Sequence, residues 1–94
     1  MNSEPIHQNL STSFVNLEAL VKHLRGLQFV GSIHIELSSY EADIVFPEPD
    51  KIEAREYDHS AGRTSHGMPA LKRILARARE PFGRISVYRS VPNG

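Results

Sequence analysis

The chain contains no cysteine, few aromatic residues (7%) and no long apolar run. The absence of cysteine and the absence of a long apolar run each exclude a class of protein. Without cysteine there is no disulfide framework, no thiolate zinc site and no cysteine nucleophile. No apolar stretch approaches the roughly 20 residues that cross a bilayer. The first residues also lack the basic segment and apolar run of a secretory signal. We therefore expect a cytoplasmic protein with no membrane span.

The formal net charge is zero, but acidic and basic residues are separated along the chain. Residues 36–58 contain eight acidic residues against two basic ones, and from residue 59 onward seven basic residues accompany a single acidic one. A chain divided in this way can fold into an electric dipole, which steers association with a charged partner. The pattern therefore favours a binding protein, and no catalytic signature accompanies it.

Hydrophobic periodicity predicts one small domain with two helices. The chain has 94 residues, of which 39% are hydrophobic, and this is enough for a single core. Apolar residues at steps of three and four, which place them on one helical stripe, occur in two segments. The first stripe contains Phe14, Leu17, Leu20, Val21, Leu24 and Leu27, and the second contains Leu71, Ile74, Leu75 and Ala78. Ser13 or Asn16 could cap the first helix, and Gly26 lies near its natural end.

Alternation of apolar and polar residues predicts four strands, at about 32–37, 41–46, 51–55 and 85–91. The polar segment 58–67 contains glycine and is expected to be an exposed loop. The fold class is therefore α+β in the order α-β-β-β-α-β, with two helices on one side of a small antiparallel sheet. The domain is expected to span residues 13–91, between a flexible N-terminal tail at 1–12 and a C-terminal tail at 92–94.

Two candidate catalytic or metal-binding patterns lie in segment 58–67. Asp58, His59 and Ser60 are the residue types of a hydrolase triad, but adjacent side chains point apart and no nucleophile elbow is present. His59 and His66 with Asp58 could supply metal ligands, at a spacing that fits no metal-binding motif. The remaining histidines fall in separate predicted elements: His7, His23 and His34. We therefore predict no catalytic residue, no metal and no cofactor, and a metal-dependent hydrolase is the least favoured alternative.

The basic second helix carries the strongest candidate binding residues. Arg73 and Arg77 are one turn apart, and Lys72 and Arg79 are two turns apart on another flank. These four residues predict a surface for a protein partner, chosen by charge complementarity. Two alternatives remain: the helix could meet the acidic sheet of a second copy, or it could bind nucleic acid. Nucleic acid is disfavoured because the sequence pI is about 7.0 and aromatic residues are few.

The succession of elements resembles a known family. It is carried by Leu17–Leu24, Val30–Ile35, Ala42–Phe46, Lys51–Arg55, Ala70-Leu71 and Pro81–Ile85. This order is similar to the PATAN-like domain, a family of unknown biochemical function in bacterial signalling proteins, often beside response-regulator receiver domains. The resemblance implies a non-enzymatic interaction module in bacterial signal transduction, and it offers no catalytic residue to carry over.

Overall fold

The computed structural model describes residues 2–91 and shows an α+β fold built on one antiparallel sheet. In chain order the elements are β1 (Asn2–Ser11), α1 (Leu17–Gly26), β2 (Gly31–Leu37), β3 (Tyr40–Phe46), β4 (Glu53–Asp58), β5 (Arg63–His66), α2 (Met68–Arg77) and β6 (Arg84–Val91). The six strands lie side by side in the order β1-β6-β2-β3-β4-β5. The predicted fold class is confirmed, but the predicted order α-β-β-β-α-β is wrong. The structure begins with a strand and has six strands instead of the four predicted, the additional ones being β1 and β5.

The core lies between one face of the sheet and both helices. Alternate residues of the central strands are fully buried, among them Ile33, Ile35 and Ile44. Buried residues of the two helices join the same cluster: Leu17, Val21, Leu24, Ala70, Leu71, Ile74 and Ala78. Because strand side chains alternate between faces, the intervening polar residues lie on the opposite, uncovered face of the sheet.

The segment predicted as an N-terminal tail is an edge strand. β1 pairs with β6, and its register shifts between Pro5 and His7 and again between His7 and Leu10. Such bulges break the period-two alternation by which a strand is recognised in a sequence. Pro5 is tolerated because an edge strand leaves one row of backbone groups unpaired. The predicted C-terminal tail, residues 92–94, lies outside the described residues.

The predicted loop at 58–67 also contains a strand. β5 pairs with β4 from Arg55↔His66 to Asp58↔Arg63 and forms the second edge of the sheet. Its four residues include no apolar side chain, so the sequence carries no hydrophobic signal for it. The position of β5 therefore follows from its backbone pairing with β4 and not from a pattern of apolar residues.

Helix α1 begins later than its apolar stripe suggests. Asn16 caps it by accepting a hydrogen bond from the Ala19 N–H through Oδ1 at 3.0 Å. Phe14 therefore precedes the helix and is 91% exposed, and Leu27, after its end, is 64% exposed. Within residues 2–91, neither helix is long and apolar enough to span a membrane.

Candidate functional site

The four predicted binding residues divide between two flanks of α2. Residues four apart lie on the same side of a helix, so Arg73 and Arg77 share one flank and Lys72 lies on another. Arg73 faces the sheet, where its Nε donates to Oε1 of Glu56 and its terminal amino group donates to Oγ of Ser65 at 3.0 Å. This arginine therefore already has acceptors within its own fold.

Glu56 is the buried centre of this network. It lies on β4 at a position where the alternation calls for an apolar residue, and only 2% of it is exposed. Its carboxylate accepts hydrogen bonds from the Tyr40 hydroxyl at 2.7 Å and the Ser65 hydroxyl at 3.1 Å, besides Arg73. Burial acts to raise the pKa of Glu56, but the hydrogen bonds outweigh it and the pKa lies below its usual value. Glu56 is therefore ionised at neutral pH.

Tyr40 and Arg77 extend the network toward the end of the sheet. Burial, together with the hydrogen bond to Glu56, raises the pKa of the Tyr40 hydroxyl, which stays protonated and donates. The Arg77 guanidinium carbon lies 4.3 Å from the centre of the Tyr40 ring, a cation–π contact. Arg77 also lies 3.9 Å from Oδ2 of Asp58 and donates to Glu80. These contacts cancel part of the charge separation that the sequence displays.

Because Arg73 neutralises a buried carboxylate, reversing its charge is expected to damage the fold. Arg73→Glu would place a second negative group beside Glu56, and a buried charge that loses its partner costs about 3–5 kcal/mol. Arg73 is 45% exposed and a glutamate can turn to solvent, so we expect a loss nearer 2 kcal/mol. Urea denaturation followed by circular dichroism measures this, and an unchanged midpoint would contradict it.

Lys72 and Arg79 form the outward flank. With Met68 and Leu75 they follow the spacing i, i+4, i+7 and i+11, so Met68, Lys72 and Leu75 share one side of α2. Arg79 comes next in this spacing but lies in the turn two residues past the end of the helix. Met68 is 59% exposed, and both Lys72 and Arg79 are exposed. Within the part of the chain that the structure describes, neither cation lies within 4.0 Å of a carboxylate. We call these four residues the α2 stripe.

A shallow groove of about 330 Å³ borders the α2 stripe. Its lining includes Leu75 of α2 and Arg79 beyond its end, together with Phe14, which precedes α1, and Glu18 of α1. Glu18 pairs with Lys22 at 3.5 Å, so it does not neutralise Arg79. The groove therefore presents an exposed aromatic ring and an unpaired arginine.

A second polar cluster lies on the uncovered face of the sheet. The Nδ1 atom of His34 is 2.8 Å from Oδ1 of Asp43, and its Nε2 atom faces Glu36 and Glu41. The Nε2 atom of His59 is 2.8 Å from Oε2 of Glu41, and this hydrogen bond lowers the pKa of the Glu41 carboxyl. Within residues 2–91, His34, Glu36 and Glu41 are the set whose ligand atoms are close enough to hold a metal ion.

The spacing of residues within segment 58–67 does not indicate this cluster. His34 and His59 are 25 positions apart in the sequence, yet both contact Glu41 because β3 pairs with β2 and with β4. The signal that could have located the cluster is His-x-Glu on one strand of a hairpin and Glu-x-Asp on the next. That signal requires the hairpin register, which was not assigned from the sequence.

The residues of the apparent triad do not act together. Ser60 Oγ donates to Oδ1 of Asp58 at 2.7 Å, while the His59 ring contacts Glu41 instead. The hydrogen bond from Ser60 lowers the pKa of the Asp58 carboxyl, with a smaller contribution from the Ala61 N–H. Asp58, His59 and Ser60 thus form a turn contact and a cross-strand contact, a geometry that does not activate the serine.

Comparison of the chain with protein-family models, curated proteins and solved structures returned no match.

Proposed function

We propose that this chain is a non-enzymatic protein–protein interaction domain of bacterial signal transduction that binds an acidic segment of a partner protein on the α2 stripe. One observation carries the proposal: Lys72 and Arg79 are exposed on one flank without a carboxylate partner among residues 2–91, while Arg73 and Arg77 are engaged. The bacterial signalling context comes from the resemblance to the PATAN-like domain.

The composition of the α2 stripe supports a protein ligand. Protein interfaces are enriched in methionine, arginine and aromatic side chains. Arg79 and the exposed ring of Phe14 line the groove, and Met68 is exposed at the other end of the α2 stripe. The two cations complement a carboxylate-bearing segment, and the apolar side chains contribute surface that is removed from water on binding. Arg73 and Arg77 position α2 on the sheet, and Lys72 and Arg79 contact the partner.

The test compares two charge-reversed double variants that alter net charge equally. Lys72→Glu with Arg79→Glu changes the α2 stripe, whereas Arg25→Glu with Arg63→Glu changes exposed residues of α1 and β5 that lie outside the groove. We expect a nuclease-resistant protein from lysate of the source organism to be captured by the wild type and the control variant, and lost by the stripe variant. Titration of that purified protein should show affinity at least about tenfold weaker for the stripe variant, since exposed charge pairs contribute up to about 1 kcal/mol each.

Three results would overturn the proposal. Equal retention by both double variants would remove the α2 stripe from the interface. Capture that nuclease abolishes would indicate nucleic acid, and its affinity should then fall steeply with salt. A wild-type oligomer that dissociates as salt rises, seen by light scattering, would make a second copy of the chain the partner, because screening weakens exposed ion pairs.

A further inference from the structure

The hairpin register places two carboxylates directly opposite each other on the uncovered face of the sheet. Glu36 of β2 pairs with Glu41 of β3, and His34 pairs with Asp43 one step along the same face. Like charges that face each other across two strands destabilise a sheet. Arg84 and His59 contact the outer oxygens of these two carboxylates, and a positive charge between their inner oxygens would remove the remaining repulsion.

The spacing of the three nearest atoms fits a metal ion better than a hydrogen bond. Nε2 of His34 lies 3.4 Å from Oε1 of Glu36 and 3.6 Å from Oε1 of Glu41. Both separations exceed the usual range of an N–H···O bond, about 2.7–3.2 Å. Ligand atoms held about 2.0–2.2 Å from a tetrahedral zinc ion stand about 3.3–3.6 Å apart. All three atoms lie within 4.8 Å of one another.

Each of the three side chains is also held from behind through its other polar atom. His34 contacts Asp43 through Nδ1 at 2.8 Å, which directs Nε2 toward the carboxylates. Glu36 accepts from Arg84 through Oε2 at 3.0 Å, and Glu41 contacts His59 through Oε2 at 2.8 Å. Carboxylates and similar partners that orient a ligand in this manner accompany most histidine-containing metal sites.

We propose that His34, Glu36 and Glu41 bind a zinc-type divalent cation, with Asp43 as the residue that positions His34. One imidazole nitrogen and two carboxylate oxygens supply three ligands, and a fourth position is left for water or an exogenous group. The imidazole favours zinc over magnesium, which prefers oxygen ligands and retains its own water. The three side chains are 27%, 42% and 44% exposed, so an ion can enter from solvent without unfolding the sheet.

The experiment is calorimetric titration of the full chain, free of any polyhistidine tag, with zinc chloride. We expect one equivalent to bind the wild type and His34→Gln to weaken binding at least 100-fold. His23→Gln alters an exposed histidine on α1 and is the matched control, with unchanged affinity expected. Asp43→Asn should weaken binding 10- to 100-fold, the usual effect of removing an orienting partner. Magnesium chloride should give no heat at equal concentration.

A second readout separates binding at this site from adventitious binding elsewhere. Zinc should raise the thermal midpoint of the wild type and of His23→Gln but not of His34→Gln, because only a ligand of the folded state stabilises it. His34 lies on the uncovered face, so circular dichroism of the variant should match the wild type. Absence of zinc binding by the wild type, or equal binding by folded His34→Gln, would overturn the site. Either result leaves the α2 stripe untouched, since Lys72 and Arg79 take no part in this cluster.

Discussion

Glu56→Gln is expected to lower the free energy of unfolding by about 2 kcal/mol, because it removes the charge that Arg73, Tyr40 and Ser65 stabilise. Hydrogen bonds to charged groups contribute about 1.5–3 kcal/mol. The neutral amide keeps one oxygen to accept from Arg73 and Ser65, but its NH2 group then faces the Tyr40 hydroxyl, which donates in the wild type. Glu53→Gln is the matched control: the same substitution on the same strand, at an exposed position, should change stability by less than about 0.5 kcal/mol. Urea denaturation at pH 7 measures both.

The same variant should change how stability depends on pH. Three hydrogen bonds lower the pKa of Glu56 in the folded state despite burial, so its contribution is complete above the unfolded pKa, near 4.5. As pH falls through the folded pKa, the carboxylate gains a proton and this contribution is lost. The gap between wild type and Glu56→Gln should therefore be largest at neutral pH and shrink once the pH falls below the unfolded pKa. Glu41 and Asp58 also have lowered pKa values, but both proteins share them, so the difference isolates Glu56. A gap that is constant with pH would contradict this account.

Gly31→Ala is expected to destabilise the fold by about 3 kcal/mol, through overpacking at a central strand. A Cβ at this position would lie 2.1 Å from the carbonyl oxygen of Tyr88 on β6 and 2.7 Å from Cζ of Phe29. The strand cannot move away easily, because Gly31 also pairs with Phe46 of β3. Phe29 packs edge to face on Phe46 with ring centres 5.7 Å apart, so displacing the Phe29 ring disrupts the core.

Gly26→Ala provides the matched control for this substitution. Gly26 is the last residue of α1, and a Cβ there would meet no atom within 4 Å. Alanine is a better helix former than glycine by up to about 1 kcal/mol, so this variant should be as stable as the wild type or more stable. Guanidinium denaturation compares the two. Equal stability of Gly31→Ala and the wild type would show that the sheet absorbs the methyl group.

Much of the fold could be predicted because its signal is local. The alternation at Ile33, Ile35 and Ile44 located two central strands, and the stripe at Leu17, Val21 and Leu24 located α1. Of the two predicted caps of α1, Ser13 and Asn16, the structure selects Asn16. These signals are strong because a helix or strand that buries one face repeats its apolar residues at the period of its backbone. The two edge strands were missed for the same reason, since β1 is bulged and β5 has no apolar residue.

For the candidate binding residues, charge alone does not tell which cations are already paired within the fold. Four basic residues look equivalent in the sequence: Lys72, Arg73, Arg77 and Arg79. In the structure, Arg73 is paired with the carboxylate of Glu56, a residue that strand pairing buries to 2% exposure. Glu56 continues the alternation of Ile52 and Ala54, but the strand predicted at 51–55 stops one residue before it. The His34 cluster was also missed because its members come from two strands, β2 and β3, and from the turn after β4.

The sequence by itself determined that this protein has an α+β fold, two amphipathic helices and a separation of acidic from basic residues along the chain. It also excluded every site that needs cysteine. The tertiary structure alone decided which charges neutralise each other and which remain on the surface, because strand register and helix rotation set the distances over which charges act. For that reason Arg73 stabilises a buried glutamate while Lys72, its neighbour in the chain, faces solvent.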